Sequence, residues 1–163
     1  PQKTPNNAAM VASLDDAVGS LIEASDAAGI SDRTIVIFIS DNGGNIYSKI
    51  QQDGGAAPTS NFPLRGGKAS VYEGGGRVPA IVVWPGVTKP RSHSNETIQT
   101  SDFYPTILNG LGIDLPKNHK LDGIDMMPAL KGEALIREAN LHLFPYFSTC
   151  TRMAPLSYYN SFG

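Results

Sequence analysis

The stretch that decides the fold is Thr34–Gly44, which reads TIVIFISDNGG. Its first six residues are nearly all apolar or β-branched, a pattern that predicts a strand buried on both faces and therefore central and parallel. The strand runs directly into Asp41 and Asn42 and then a glycine turn. Open α/β sheets bind ligands beyond the carboxyl ends of their strands, and carboxylate and amide oxygens are the ligands that calcium and magnesium prefer. The stretch therefore predicts a buried strand with a cation site at its end.

Asp41 and Asn42 have a second interpretation, because Asp-Asn-Gly-Gly also forms tight turns from residues that tolerate left-handed backbone. On these four residues alone the turn is favoured, whereas the buried strand before them favours a ligand site. A calcium ion takes about six to eight oxygen ligands. Two side chains therefore form only part of such a site.

Lys68 is the candidate anion-binding residue. It follows two glycines in a segment, residues 43–76, that holds nine of the 17 glycines of the chain. Glycine lets backbone N–H groups approach a ligand closely, and an ammonium beside them suits an anion. The alternatives are a flexible surface loop and a solvated lysine. Arg77 is equally expected to pair with Glu73 or another acid, or to contact substrate.

The rest of the chain predicts an alternation of helices and strands. The predicted elements are a helix over residues 6–28 with one apolar stripe, a second buried strand over 78–84, a short strand at 97–100, a helix over 103–111 capped by Ser101 or Asp102, and a short helix over 126–130. Such an order indicates the α/β class.

Composition excludes several classes of function. The 163 residues are enough for one domain, and the net charge of -2 leaves no broad basic surface for nucleic acid. No run approaches the roughly 18 apolar residues that a membrane span requires.

The three histidines show no metal-ligand spacing. The single Cys150 excludes an internal disulfide and is interpreted as an inert thiol.

Taken together, the motifs resemble the second half of a type I sulfatase, the arylsulfatase-like branch of the alkaline phosphatase superfamily. The resemblance covers residues 8–132 in order. It implies an alkaline-phosphatase-like, mostly parallel sheet flanked by helices and truncated on the N-terminal side. Residues 1–132 would form the C-terminal half of the α/β domain, and 133–163 a tail towards a C-terminal subdomain. The matching segments are 35–44, Gly67-Lys68, YEGG at 72–75, RVPA at 77–80, DFYPTIL at 102–108, LDGI at 121–124 and LKG at 130–132.

Sulfatases of this family attack sulfur with a formylglycine made from a C/S-x-P-x-R motif, while calcium steadies the sulfate oxygens. By motif match, Asp41 and Asn42 would be two calcium ligands, and Lys68 would be the catalytic, substrate-binding lysine that contacts the sulfate. The C/S-x-P-x-R motif does not occur in this sequence; its nearest counterpart, NFPLR at 61–65, has Asn61 at the nucleophile position. The resemblance therefore implies the calcium- and sulfate-binding portion of a sulfuric ester hydrolase, inactive by itself and weak in calcium binding.

The resemblance also implies a sulfated small molecule or glycan as substrate, selected by the loop over residues 45–63, and an extracytoplasmic location. A sheet without its upstream strands would have an unpaired edge, which predicts self-association. Two alternatives stay open. A phosphate or phosphonate ester hydrolase of the same superfamily would also use a cation and Lys68, and a non-catalytic module would keep only the fold.

Overall fold

A computed structural model describes residues 4–49, 55 and 57–137 and the backbone of 152–153. The helices are α1 (Pro5–Ala27), α2 (Glu73–Gly76), α3 (Phe103–Gly110) and α4 (Met127–Lys131), and the strands are β1 (Val36–Ile39), β2 (Arg77–Val78), β3 (Ala80–Val83) and β4 (Arg152–Met153). Helices and strands are therefore mixed, as the sequence predicts. Cys150 and most of the predicted tail lie outside the described residues. The division at residue 132 stays a prediction.

The sheet differs from the prediction in strand direction. β1 pairs with β3 antiparallel, with Ile37 opposite Val82 and Ile39 opposite Ala80. The only parallel pair among the described residues is the two-residue ladder between β2 and β4. A continuous apolar run indicates that a strand is covered but says nothing of its direction, so the expected parallel central strand is not found in this pair. All four residues of β1 are half-buried rather than buried.

One face of the β1–β3 pair carries the core. Ala80 and Val82 are almost completely buried, and Ile37 and Ile39 pack against the same cluster, because side chains two apart on a strand point to one face. The α3 and α4 segments and the loop before them supply the other side. Further buried members of the cluster are Trp84, Ile98, Met126 and Leu130.

The predicted helices are confirmed to within two residues at each end, and the predicted strand at 97–100 is wrong. A short 3-10 helix begins at Thr100 instead, because the Gln99 backbone N–H donates to the Asp102 carboxylate (2.7 Å) and forms a capping box. α2 was not predicted, since its sequence is EGGG and glycine disfavours helices.

The first helix has no buried residue among those described. Of its predicted apolar stripe, Met10, Leu14 and Leu21 are more than half exposed, whereas Val18 and Ile22 are half-buried. At its start the Thr4 hydroxyl donates to the Pro58 carbonyl (3.1 Å), which ties α1 to the loop before Asn61. Among the described helices, none combines the length and hydropathy needed to cross a bilayer.

Candidate active site

Asp41 and Asn42 lie just beyond the end of the β1–β3 pair. The Ser40 backbone N–H donates to the Pro79 carbonyl (3.3 Å), which extends the pairing past Ile39 to the residue before Asp41. Asp41 is exposed and Asn42 is half-buried. The Asn42 amide nitrogen donates to the Gly43 carbonyl (3.0 Å), a bond that orients the carboxamide without engaging its oxygen. Asp41 and Asn42 therefore follow the strand directly, at one end of the β1–β3 pair.

The glycines after these residues allow two loops to meet backbone to backbone. The Gly43 N–H donates to the Gly75 carbonyl (2.9 Å), and the Gly74 N–H donates to the Arg65 carbonyl (2.8 Å). A Cβ added at Gly43 would overlap the carbonyl oxygen of Gly74, and a Cβ at Gly74 would overlap that of Gly66. Close backbone approach, rather than flexibility, therefore explains why glycine is required here.

Lys68 lies next to the Asp41–Asn42 loop through its main chain. The Lys68 N–H donates to the Gly44 carbonyl (3.0 Å), two residues after Asn42. The lysine occupies a turn closed by the Ser70 N–H on the Gly67 carbonyl (3.0 Å), and the following Ala69 has a φ of 68°. The Lys68 side chain is exposed. The main chain of Lys68 therefore lies against the loop that follows Asp41 and Asn42.

Asn61 lies between the two loops, and the sequence alone assigns it no role. In the sequence it is noted only because asparagine stands at the position where the C/S-x-P-x-R motif has its nucleophile. Its amide nitrogen donates to the carbonyls of Gly44 (2.9 Å) and Gly66 (3.0 Å), and its amide oxygen accepts from the Gly44 N–H (2.9 Å). Thr59 adds a bond from its hydroxyl to the Asn45 carbonyl (2.9 Å). The available signal was an asparagine in a glycine-rich loop, since asparagine side chains readily bond to backbone.

The two arginines near Lys68 are engaged locally. Arg77 pairs with Glu73 at 3.6 Å on the partly exposed surface of α2, which confirms the structural alternative for this residue. The Arg65 guanidinium lies 3.9 Å from the centroid of the Tyr72 ring, within the range of a cation–π contact.

The candidate cation ligands fit calcium in kind but not in number. A carboxylate and an amide oxygen are hard donors, and calcium takes about six to eight such oxygens. Within the described ranges, no group of three or more histidine, cysteine or acidic side chains is arranged to hold a metal ion. The roles of Asp41, Asn42 and Lys68 therefore stay predictions.

Asp41, Asn42 and Lys68 offer a carboxylate, an amide oxygen and an ammonium, and the Lys68 N–H on the Gly44 carbonyl links the two loops that carry them. Comparison with known proteins gives the family. The sequence model of the Sulfatase family matches residues 2–113, and the chain belongs to that family.

Curated relatives agree with this assignment. The chain is 38% identical over 151 residues to a sulfatase of Formosa agariphila, covering 86% of this chain and 26% of the relative. It is 38% identical over 122 residues to the steryl-sulfatase of Rattus norvegicus (75% and 21%), and 36% identical over 128 residues to the N-acetylgalactosamine-6-sulfatase of Mus musculus (78% and 24%). The chain thus spans about a quarter of the length of the curated relatives it matches.

Proposed function

We propose that this chain contributes the calcium- and sulfate-binding residues of a sulfuric ester hydrolase. The observation that supports the proposal most directly is the Gly44 junction. Its carbonyl accepts the Lys68 N–H at 3.0 Å, and Gly44 follows Asn42 by two residues, so the cation donors and the lysine share one backbone contact. Family membership supports the same chemistry.

In this proposal Asp41 and Asn42 hold a calcium ion together with ligands from outside these 163 residues. Calcium, when bound, supplies positive charge for the sulfate oxygens. The exposed Lys68 ammonium binds the same sulfate and stabilises the charge that develops during ester cleavage. The nucleophile is a formylglycine formed in a C/S-x-P-x-R motif, and the present sequence does not contain that motif. The chain by itself is therefore inactive.

We further propose that the β1–β3 pair belongs to a larger, mostly parallel sheet of the alkaline phosphatase type. The substrate is a sulfated small molecule or a glycan. One relative is a steryl-sulfatase, whose name indicates a small-molecule ester as substrate. Another is an N-acetylgalactosamine-6-sulfatase, whose name indicates the sulfate ester of a sugar. The described residues 45–49 follow the site directly and include the exposed Tyr47, which supports the loop over residues 45–63 as the candidate determinant of substrate choice.

The test of activity uses the full-length protein that contains this chain, with a chromogenic aryl sulfate as substrate. We expect Lys68→Ala to lower kcat/KM by about 100-fold or more, since one oxyanion-binding donor is typically worth that much. Lys89→Ala, a change of an exposed lysine on another loop, should leave the rate unchanged. An unchanged rate for Lys68→Ala contradicts the proposal, and preferred cleavage of an aryl phosphate moves the protein to the phosphate ester branch.

The calcium assignment has a test that does not need turnover. Calorimetric titration of the isolated chain with calcium should give a Kd of about 1 mM or weaker, because two donors replace a full set of about six or more. In the full-length protein the affinity should be higher, and Asp41→Asn should lower it at least tenfold. Equal calcium affinity for Asp41→Asn and the unchanged full-length protein would remove Asp41 from the ligand set.

A further inference from the structure

The Asn61 carboxamide joins the two sides of the candidate site. Its oxygen accepts from the Gly44 N–H and its nitrogen donates to the Gly44 carbonyl, both at 2.9 Å, so it pairs with Gly44 as a neighbouring strand would. The second hydrogen of the same nitrogen reaches the Gly66 carbonyl at 3.0 Å. One half-buried side chain thereby bonds both to the loop after Asn42 and to the loop before Lys68.

These three bonds use most of what the side chain offers. An asparagine amide has two donor hydrogens and an oxygen with two lone pairs. Both hydrogens and one lone pair are engaged with backbone groups of the site, which fixes the side chain in one orientation. An aspartate of the same shape would place a carboxylate oxygen against the Gly44 and Gly66 carbonyls, and an alanine would leave all three backbone groups without this partner.

The space around Asn61 is also closed by glycines. A Cβ on Gly44 would lie 2.9 Å from the Asn61 amide oxygen, and a Cβ on Gly67 would lie 2.9 Å from its amide nitrogen. A Cβ on Gly67 would also lie 2.6 Å from the Gly44 carbonyl oxygen, the acceptor of the Lys68 N–H. The absence of side chains at 44 and 67 therefore lets the carboxamide and the Lys68 turn reach the same peptide group.

We propose that Asn61 is the positioning residue of this site: its carboxamide sets the distance between the cation ligands Asp41 and Asn42 and the sulfate-binding Lys68. The inference rests on the proposed function for what the site does. Asn61 itself contacts neither ion nor substrate in this role. It acts through Gly44, whose carbonyl accepts simultaneously from Asn61 and from Lys68.

The kinetic test uses the full-length protein that contains this chain and an aryl sulfate. We expect Asn61→Ala to lower kcat by about 10- to 100-fold, because a misplacement near 1 Å in a catalytic group has effects of that size, while KM changes less than about threefold. In a Lys68→Ala background the same change should lower kcat by less than about threefold, since the group being positioned is gone. Asn95→Ala, at an exposed asparagine of another loop, is the matched control. An undiminished kcat, or equal losses in both backgrounds, overturns the inference.

A second measurement needs no turnover and so separates this inference from the proposed function. Residue-resolved amide hydrogen exchange should show at least tenfold faster exchange of the Gly44 and Lys68 amides in Asn61→Ala. The buried Met126 amide, which donates to the Thr106 hydroxyl at 2.8 Å, should be unchanged. Unchanged exchange at Lys68 overturns the inference, whatever reaction the protein catalyses. If the unaltered protein releases no sulfate but the Lys68 amide still exchanges faster in Asn61→Ala, only the proposed function is overturned.

Asn61→Asp covers the case in which the alanine variant does not fold. It keeps the acceptor for the Gly44 N–H and has the same shape, but it loses both donated bonds. We expect faster exchange at Lys68 and a loss of kcat at least as large as for alanine. A folded Asn61→Asp protein with the original kcat and the original Lys68 exchange rate contradicts the positioning role.

Discussion

Two regions of the molecule are stabilised in different ways. The core region, β3 with residues 98–137, buries apolar side chains such as Ile98, Met126 and Leu130, each at most 1% exposed. In the site region, residues 40–76, every buried residue among those described is a glycine, namely Gly43, Gly67, Gly74, Gly75 and Gly76. Burial in the site region therefore brings backbone against backbone and removes little apolar surface from water.

The difference shows how each region holds its geometry. Apolar packing is non-directional, so it stabilises the core region without specifying any single distance. Hydrogen bonds are directional but each adds only about 0.5–1.5 kcal/mol net. A site held by the bonds of Asn61 and by glycine contacts is therefore well defined in position, although it contributes little to overall stability.

The core region also contains a polar centre, Asp102, which is fully buried. Its carboxylate accepts from the backbone N–H groups of Gln99 (2.7 Å) and Ile124 (2.9 Å) and pairs with the Arg137 guanidinium. This one side chain joins the start of α3 to the loop before α4 and to residue 137. Asp102 therefore joins separate segments of the core region, as Asn61 joins two loops of the site region.

The largest effect is expected for Asp102→Ala. Removing one partner of a buried ion pair leaves the other charge uncompensated, so the free energy of unfolding should fall by about 3–5 kcal/mol. Urea unfolding of the chain measures this loss. Asp114→Ala, at an exposed acid, should change stability by less than about 0.5 kcal/mol. A loss below about 1 kcal/mol for Asp102→Ala would show that the core region does not depend on this centre.

Gly43→Ala should have the next largest effect and tests the site region. The new Cβ would overlap the Gly74 carbonyl, and such overpacking typically costs about 1–3 kcal/mol. Gly19→Ala is the matched control, because Gly19 lies within α1 with open space around its Cβ. That change should raise stability by about 0.5–1 kcal/mol. If Gly43→Ala and Gly19→Ala change the free energy of unfolding in urea in the same direction, the role assigned to close backbone contact at Gly43 is contradicted.

Ala69→Gly should have a smaller effect, in the stabilising direction. Ala69 has a φ of 68°, a left-handed conformation that costs a non-glycine residue roughly 1–2 kcal/mol. Glycine removes this cost, but it loses up to about 1 kcal/mol through the greater freedom of the unfolded chain. We expect a net gain of about 0.5 kcal/mol in urea unfolding. A loss of stability would mean that the turn holding Lys68 is not strained.

Glu73→Gln should have the smallest effect. The Glu73–Arg77 pair is 3.6 Å apart and its side chains are 42% and 35% exposed, so the pair should contribute less than about 0.5 kcal/mol. The comparison with Asp102 separates an exposed ion pair from a buried one. Thermal unfolding of the two variants measures the difference. If Glu73→Gln lowers the unfolding midpoint as much as Asp102→Ala does, α2 depends on its ion pair rather than on its glycine contacts.

Much of the local structure could be predicted from the sequence. Apolar spacing of three and four residues indicated α1, and end signals indicated α3; both helices end before a glycine of positive φ, Gly29 and Gly112. The β-branched run indicated β1. In contrast, α2 was missed because three glycines argue against a helix, and the strand predicted at 97–100 was replaced by a capping box on Asp102.

What the sequence by itself determined is most of the helices and the strand β1, the residue types available for chemistry, and the family. These depend on patterns within a few neighbouring residues. Only the tertiary structure decided that β1 and β3 run antiparallel, that Asn61 pairs with Gly44 across 17 residues, and that Asp102 meets Arg137 across 35. Such partners are chosen by the path of the chain, because a hydrogen-bonding side chain can bond to any backbone group that the fold brings within reach.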